Sequence, residues 1–113
     1  MEQTKQIARI IRAALEEKKG EDVRILDFSE VSVLADYFII ANGTSNNQVK
    51  ALVDNVEEKM AKAGYELKQS EGNGTCTWVL LDYEDIIVHV FDKDNRLFYN
   101  LERIWSDGKR VEL

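Results

Sequence analysis

Cys76 is the only thiol and His89 the only imidazole in the chain, and a thiolate beside an imidazole is one way to build a nucleophile. Alternation along two neighbouring strands puts both on one sheet face, diagonally across a hairpin. No third group in the sequence is placed to orient the imidazole, which a catalytic pair requires. The favoured reading is therefore packing, with the His89 ring against Trp78 and one ring nitrogen hydrogen-bonded. One Cys and one His cannot build a structural zinc site either. A second possibility is Gly43-Thr44-Ser45 at a helix start, where free N–H groups and the helix dipole favour a phosphate. Asp92-Lys93-Asp94 has the Asp-x-Asp form that holds a divalent metal in nucleotidyltransferases. A nucleotidyl-transfer site from Ser45 with Asp92 and Asp94 is the enzyme alternative, although no Walker lysine or Gly-x-Gly-x-x-Gly accompanies it. The expectation is no catalytic residue, no cofactor and no metal.

Large rings are the more informative group. Trp78, Tyr83, Phe91, Phe98, Tyr99 and Trp105 fall within 28 residues, more than one hairpin and one helix need for their own packing. Phe91 and Trp105 are expected in the core. Rings beside Arg96, Arg103, Glu102 and Asp82 are the composition of a protein-binding surface.

The elements that must position these groups follow from periodicity. Ile7, Ile10, Ile11, Ala14 and Leu15 form one helical stripe, stopped near Gly20. Val23–Asp27 reads as a strand, and residues 29–34 as a loop or one helical turn. Tyr37–Ala41 is too apolar for a half-exposed strand and needs both faces covered. Ser45 and Gln48 have the form of a capping box opening a helix with Val49, Leu52, Val53, Val56 and Met60 on its inner stripe and Gly64 at its end. Tyr65–Gln69 is a candidate strand, so strand–helix–strand suggests a right-handed parallel crossover. Glu71-Gly72-Asn73-Gly74 reads as a break. Thr77–Asp82 and Asp85–Phe91 then form a hairpin around Tyr83-Glu84. Pairing Leu81 with Ile86 puts Val79 opposite Val88 and Trp78 opposite His89. One face is then aliphatic (Thr77, Val79, Leu81, Ile86, Val88, Val90). The other is mixed and aromatic (Cys76, Trp78, Leu80, Asp82, Asp85, Ile87, His89, Phe91). Leu97–Trp105 carries helical spacing up to Gly108. The order α-β-β-α-β-β-β-α predicts a single α/β domain over residues 1–113, with a mixed, mostly five-stranded sheet flanked by helices and a short tail at 108–113.

Composition bounds the partners. The 113 residues include 21 Asp+Glu against 15 Lys+Arg, a net charge of −6. An acidic domain without a basic stripe is poorly suited to nucleic acid or an anionic membrane, and better suited to a basic protein. No sequence-specific nucleic-acid binding is expected. A lone cysteine removes the disulfide-stapled class. With no apolar run of membrane-spanning length and no signal-peptide pattern at Met1-Glu2-Gln3-Thr4, the expected location is the cytoplasm.

Several strings, in order, resemble a known family. They are Asp36-Tyr37-Phe38-Ile39-Ile40, Gly43-Thr44-Ser45-Asn46, Gln48-Val49-Lys50-Ala51, Trp78-Val79-Leu80-Leu81-Asp82-Tyr83, Val88-His89-Val90-Phe91 and Tyr99-Asn100-Leu101-Glu102-Arg103-Ile104-Trp105. Together they resemble the ribosomal silencing factors (RsfS, Iojap), and the resemblance covers roughly residues 3 to 107. The resemblance implies a nucleotidyltransferase-like α/β fold without that activity. It implies binding to the large ribosomal subunit through its protein numbered fourteen. There the factor excludes the small subunit and lowers translation when nutrients are scarce. It further implies a homodimer off the ribosome. Carried over residue by residue, Trp78 and Tyr99 become partner-contacting anchors, Asp82 and Glu102 carboxylates for basic groups, and Arg96 a rim or intramolecular ion pair. Two positions depart from the family: Asn47 stands where Arg is common, and Glu84 where Gly is common. With Glu84 there, a left-handed turn residue is not expected, and a different hairpin turn follows.

Overall fold

The computed structural model describes residues 2–27, 36–72, 78–92 and 109–111. The expected loop at 29–34, the expected helix at Leu97–Trp105, and Cys76, Thr77 and Asp94 lie outside them. The first apolar stripe forms α1 (Glu2–Glu17), which buries Ala8, Ile11, Ala14 and Leu15 and leaves Ile7 and Ile10 half-buried. Its end is a Schellman motif: the Gly20 N–H donates to Leu15 O at 2.8 Å and the Lys19 N–H to Glu16 O at 3.0 Å. The left-handed residue is Lys19 (φ 62) rather than the neighbouring glycine.

Next come β1 (Glu21–Asp27), β2 (Tyr37–Gly43), α2 (Asn46–Lys62), β3 (Gln69–Gly72), β4 (Trp78–Asp82), β5 (Ile86–Asp92) and β6 (Lys109–Val111). The sheet is mixed, in the order β3-β4-β5-β2-β1-β6. Of the five strands expected from the sequence, β1, β2, β4 and β5 stand in their expected places, and the third is displaced along the chain. The sixth is a three-residue addition, antiparallel to β1, within the segment read as a tail. Central places go to β2 and β5, paired in parallel from Tyr37↔Ile86 to Gly43↔Asp92. Both are apolar enough to be covered on both sides, as parallel strands require. All four residues of β3 are exposed, and such a strand is tolerated only at an edge.

Three expectations are corrected here. The third strand is Gln69–Gly72, not Tyr65–Gln69, so Glu71 and Gly72 belong to a strand rather than to a break. It runs parallel to β2, because β3–β4 and β4–β5 are both antiparallel while β5 parallels β2, but β4 and β5 stand between them. The hairpin register is shifted by two residues: Leu81 faces Val88, Val79 faces Val90 and Trp78 faces Phe91. The loop is thus Glu84-Asp85. A shift of two preserves the division of faces, so Val79, Leu81, Ile86, Val88 and Val90 share one face and Trp78, Leu80, Asp82, Ile87, His89 and Phe91 the other, while Asp85 lies in the turn.

Glu84 also reverses the turn expectation, with φ 77 despite its side chain. The Asp85 N–H donates to Tyr83 O at 3.0 Å, closing a γ-turn around Glu84, and the Tyr83 N–H donates to Ile86 O at 2.9 Å. The Asp82 carboxylate accepts the Glu84 N–H at 2.7 Å and offsets part of the strain.

Both helices pack on one face of the sheet, over Ile25, Tyr37, Ile39, Ala41, Leu81, Ile86, Val88 and Val90. They are tied to each other by buried Asn55, whose Nδ2 donates to Ala14 O at 2.8 Å. Ser45 caps α2 by accepting the Gln48 N–H at 3.2 Å. The reciprocal half of the box is displaced by one residue, since Gln48 Oε1 accepts the Thr44 N–H (2.5 Å) and hydroxyl (2.8 Å). Its Nε2 donates to Lys18 O and Lys19 O at 3.2 and 2.9 Å, so one side chain joins the end of α1 to the start of α2.

Candidate functional site

The sheet face away from the helices carries the rings. Strand pairing sorts its residues into rows across the sheet. One row runs Leu26–Phe38–Ile87–Asp82–Gln69, the next Arg24–Ile40–His89–Leu80–Glu71, and the third Asn42–Phe91–Trp78. Leu26, Ile40 and Phe91 are buried, and Phe38 and Trp78 pack against them half-buried. Around His89 the rings interlock. Phe91 lies parallel to it (5° between planes, centroids 6.2 Å apart), Phe38 meets it edge-on (88°, 6.0 Å), and Trp78 stacks at a slight tilt (26°, 6.5 Å). The Trp78 Nε1–H donates to His89 Nδ1 at 3.4 Å, a long hydrogen bond. This is the packed, hydrogen-bonded histidine favoured on sequence grounds. Burial pushes its pKa down to about 4, so the ring is neutral near pH 7.

Two of the five expected contact residues lie on this face. Trp78 is half-buried, with one edge in the ring cluster. Asp82 sits two rows away on the same strand, bonded to the turn it closes. Tyr99, Glu102 and Arg96 lie outside the described residues. Sequence reasoning did not single out Phe38, Glu71, Leu80 and Ile87 as contacts. Leu80 and Ile87 are half-buried, the first opposite Glu71 and the second opposite Asp82. Glu71 was hidden by the misplaced third strand, and its register opposite Leu80 is what adds it to the face. At the far side, Arg24 pairs with Asp22 at 3.1 Å. The face therefore combines rings and aliphatic groups with an acidic side toward β3 and β4.

The enzyme alternative receives one new fact: the parallel register puts Asp92 beside Gly43. Two amides at this helix start are engaged, the Thr44 N–H on Gln48 Oε1 and the Gln48 N–H on Ser45 Oγ. Asn47, the position where the family commonly has Arg, is exposed in the first turn of α2. Among the described residues no three His, Cys, Asp or Glu side chains gather as metal ligands, and no helix is long and apolar enough to cross a membrane.

Comparison with known proteins agrees with this architecture. The family model described as "Ribosomal silencing factor during starvation" matches residues 1–113. The ribosomal silencing factor of Bacillus subtilis is 40% identical over 109 residues, covering 96% of this chain and 92% of that protein. A crystal structure of a Chromobacterium violaceum protein superposes with a TM-score of 0.87 at 39% identity, covering 90% of this chain and 85% of the other. One from Bacillus halodurans gives 0.86 at 37%, covering 96% and 99%. With the full length matched in sequence and the α/β sheet matched in space, the chain belongs to the ribosomal silencing factor family.

Proposed function

We propose that this chain binds the large ribosomal subunit through its protein numbered fourteen and, seated there, keeps the small subunit from joining. Translation then falls when nutrients are limiting. The mechanism is steric: it needs affinity and placement, not a reaction, and the chain acts without catalysis in the cytoplasm. The observation that carries this reading is the half-buried ring and aliphatic face bordered by Glu71 and Asp82, on a chain of net charge −6 in a silencing-factor family. Trp78 and Tyr99 supply anchoring rings, Asp82 and Glu102 carboxylates for basic groups, and Arg96 a rim contact or internal ion pair. Off the ribosome the chain forms a homodimer.

The test is co-sedimentation with isolated large subunits. Trp78→Ala combined with Tyr99→Ala is expected to abolish it while the circular dichroism spectrum stays native. Undiminished co-sedimentation would remove these anchors.

A further inference from the structure

We infer that His89 is a positioning residue for docking: its Nδ1 lone pair and its ring plane hold the Trp78 indole in the orientation that meets the partner. The inference rests on the proposed role of Trp78. A half-buried tryptophan samples several rotamers unless its neighbours fix it, and ordering such a side chain is a cost paid at binding. Here the indole is ordered beforehand from two directions. Its N–H donates to His89 Nδ1, and its ring stacks with His89 at 26° between planes, with Phe91 tilted at 30° beside it. His89 is itself immobilised, 6% exposed in the middle of β5, with Phe91 parallel to it and Phe38 edge-on. Accepting at Nδ1 requires the proton on Nε2, so one tautomer of the neutral ring performs the task. Trp78 and His89 are not direct cross-strand partners (these are Trp78↔Phe91 and Leu80↔His89). The contact is a diagonal one, and a diagonal pair reaches this far only with long or aromatic side chains.

The chemistry separates positioning from packing. His89→Phe keeps a ring of similar size and loses the acceptor. His89→Asn loses the ring but places Oδ1 near the Nδ1 position. A packing role ranks Phe above Asn in every measurement. A positioning role ranks Phe above Asn in thermal stability and Asn above Phe in affinity. We expect large-subunit binding by His89→Phe to weaken about tenfold, as for loss of one hydrogen bond that orders a contact. His89→Asn should retain more of it. In the free protein at pH 7, nitrogen NMR of His89 should show the Nε2–H tautomer. The Trp78 indole N–H, assigned against Trp105→Phe, should be slow to exchange in wild type and fast in His89→Phe. An Nδ1–H tautomer, or an affinity order following stability, overturns the inference. Full binding by His89→Phe beside weakened Trp78→Ala overturns it alone; full binding by Trp78→Ala overturns it together with the docking role on which it rests.

Discussion

His89 sits where a titratable group is costly, and the cost has a direction. Burial lowers its pKa from 6.5 to about 4, so the unfolded chain takes up a proton more readily than the folded one. A group depressed in this way contributes its full stability above pH 6.5 and loses it as the pH falls toward 4. The gap between the two values corresponds to about 3 kcal/mol. Urea unfolding at pH 7 and at pH 4.5 should show most of that loss in wild type, and a correspondingly smaller loss in His89→Phe. Equal losses in both would show that another group carries the acid sensitivity. The imidazole's role was legible from the sequence, because a lone histidine on a ring-rich strand face has few other ways to be satisfied. Its exact partner geometry was not, since the assumed register put Trp78 directly opposite it rather than on the diagonal.

Elements show the same division between what patterning determines and what turns determine. Strand alternation assigned the faces of β4 and β5 correctly, because any even shift leaves each side chain on its own side. The register itself depends on the turn, and there Glu84 departs from expectation by adopting φ 77. A side chain at positive φ costs on the order of 1–2 kcal/mol outside glycine and asparagine, against a smaller entropic cost for glycine in the unfolded chain. The Lys68–Glu84 contact, 3.9 Å between exposed groups, contributes little in return. Glu84→Gly should therefore raise the melting temperature by a few degrees, about 1 kcal/mol. A lower melting temperature would mean that the Glu84 side chain supports the hairpin in a way its contacts do not reveal. The third strand was misplaced for a related reason: Gln69–Gly72 is polar and fully exposed, so no hydrophobic period marks it. Only pairing with β4 makes it a strand.

At the scale of the molecule, the two faces of one sheet divide the labour. The helix-covered face supplies the core, and the opposite face concentrates Phe38, Trp78, His89 and Phe91 with an acidic side. Fold class and family were readable from ordered motifs across the chain, because core strands and helix stripes constrain residue type at many positions. Docking residues are a different matter: nothing in a single sequence separates a ring that fills a core from one that meets a partner. The central claim is exclusion of the small subunit by an occupied face on the large one. It is tested most directly by mixing isolated large and small subunits with saturating purified protein and resolving them on a sucrose gradient. The account predicts that large subunits sediment alone, carrying the protein, and that paired ribosomes are depleted. Normal pairing with the protein bound, or with none bound, would contradict it.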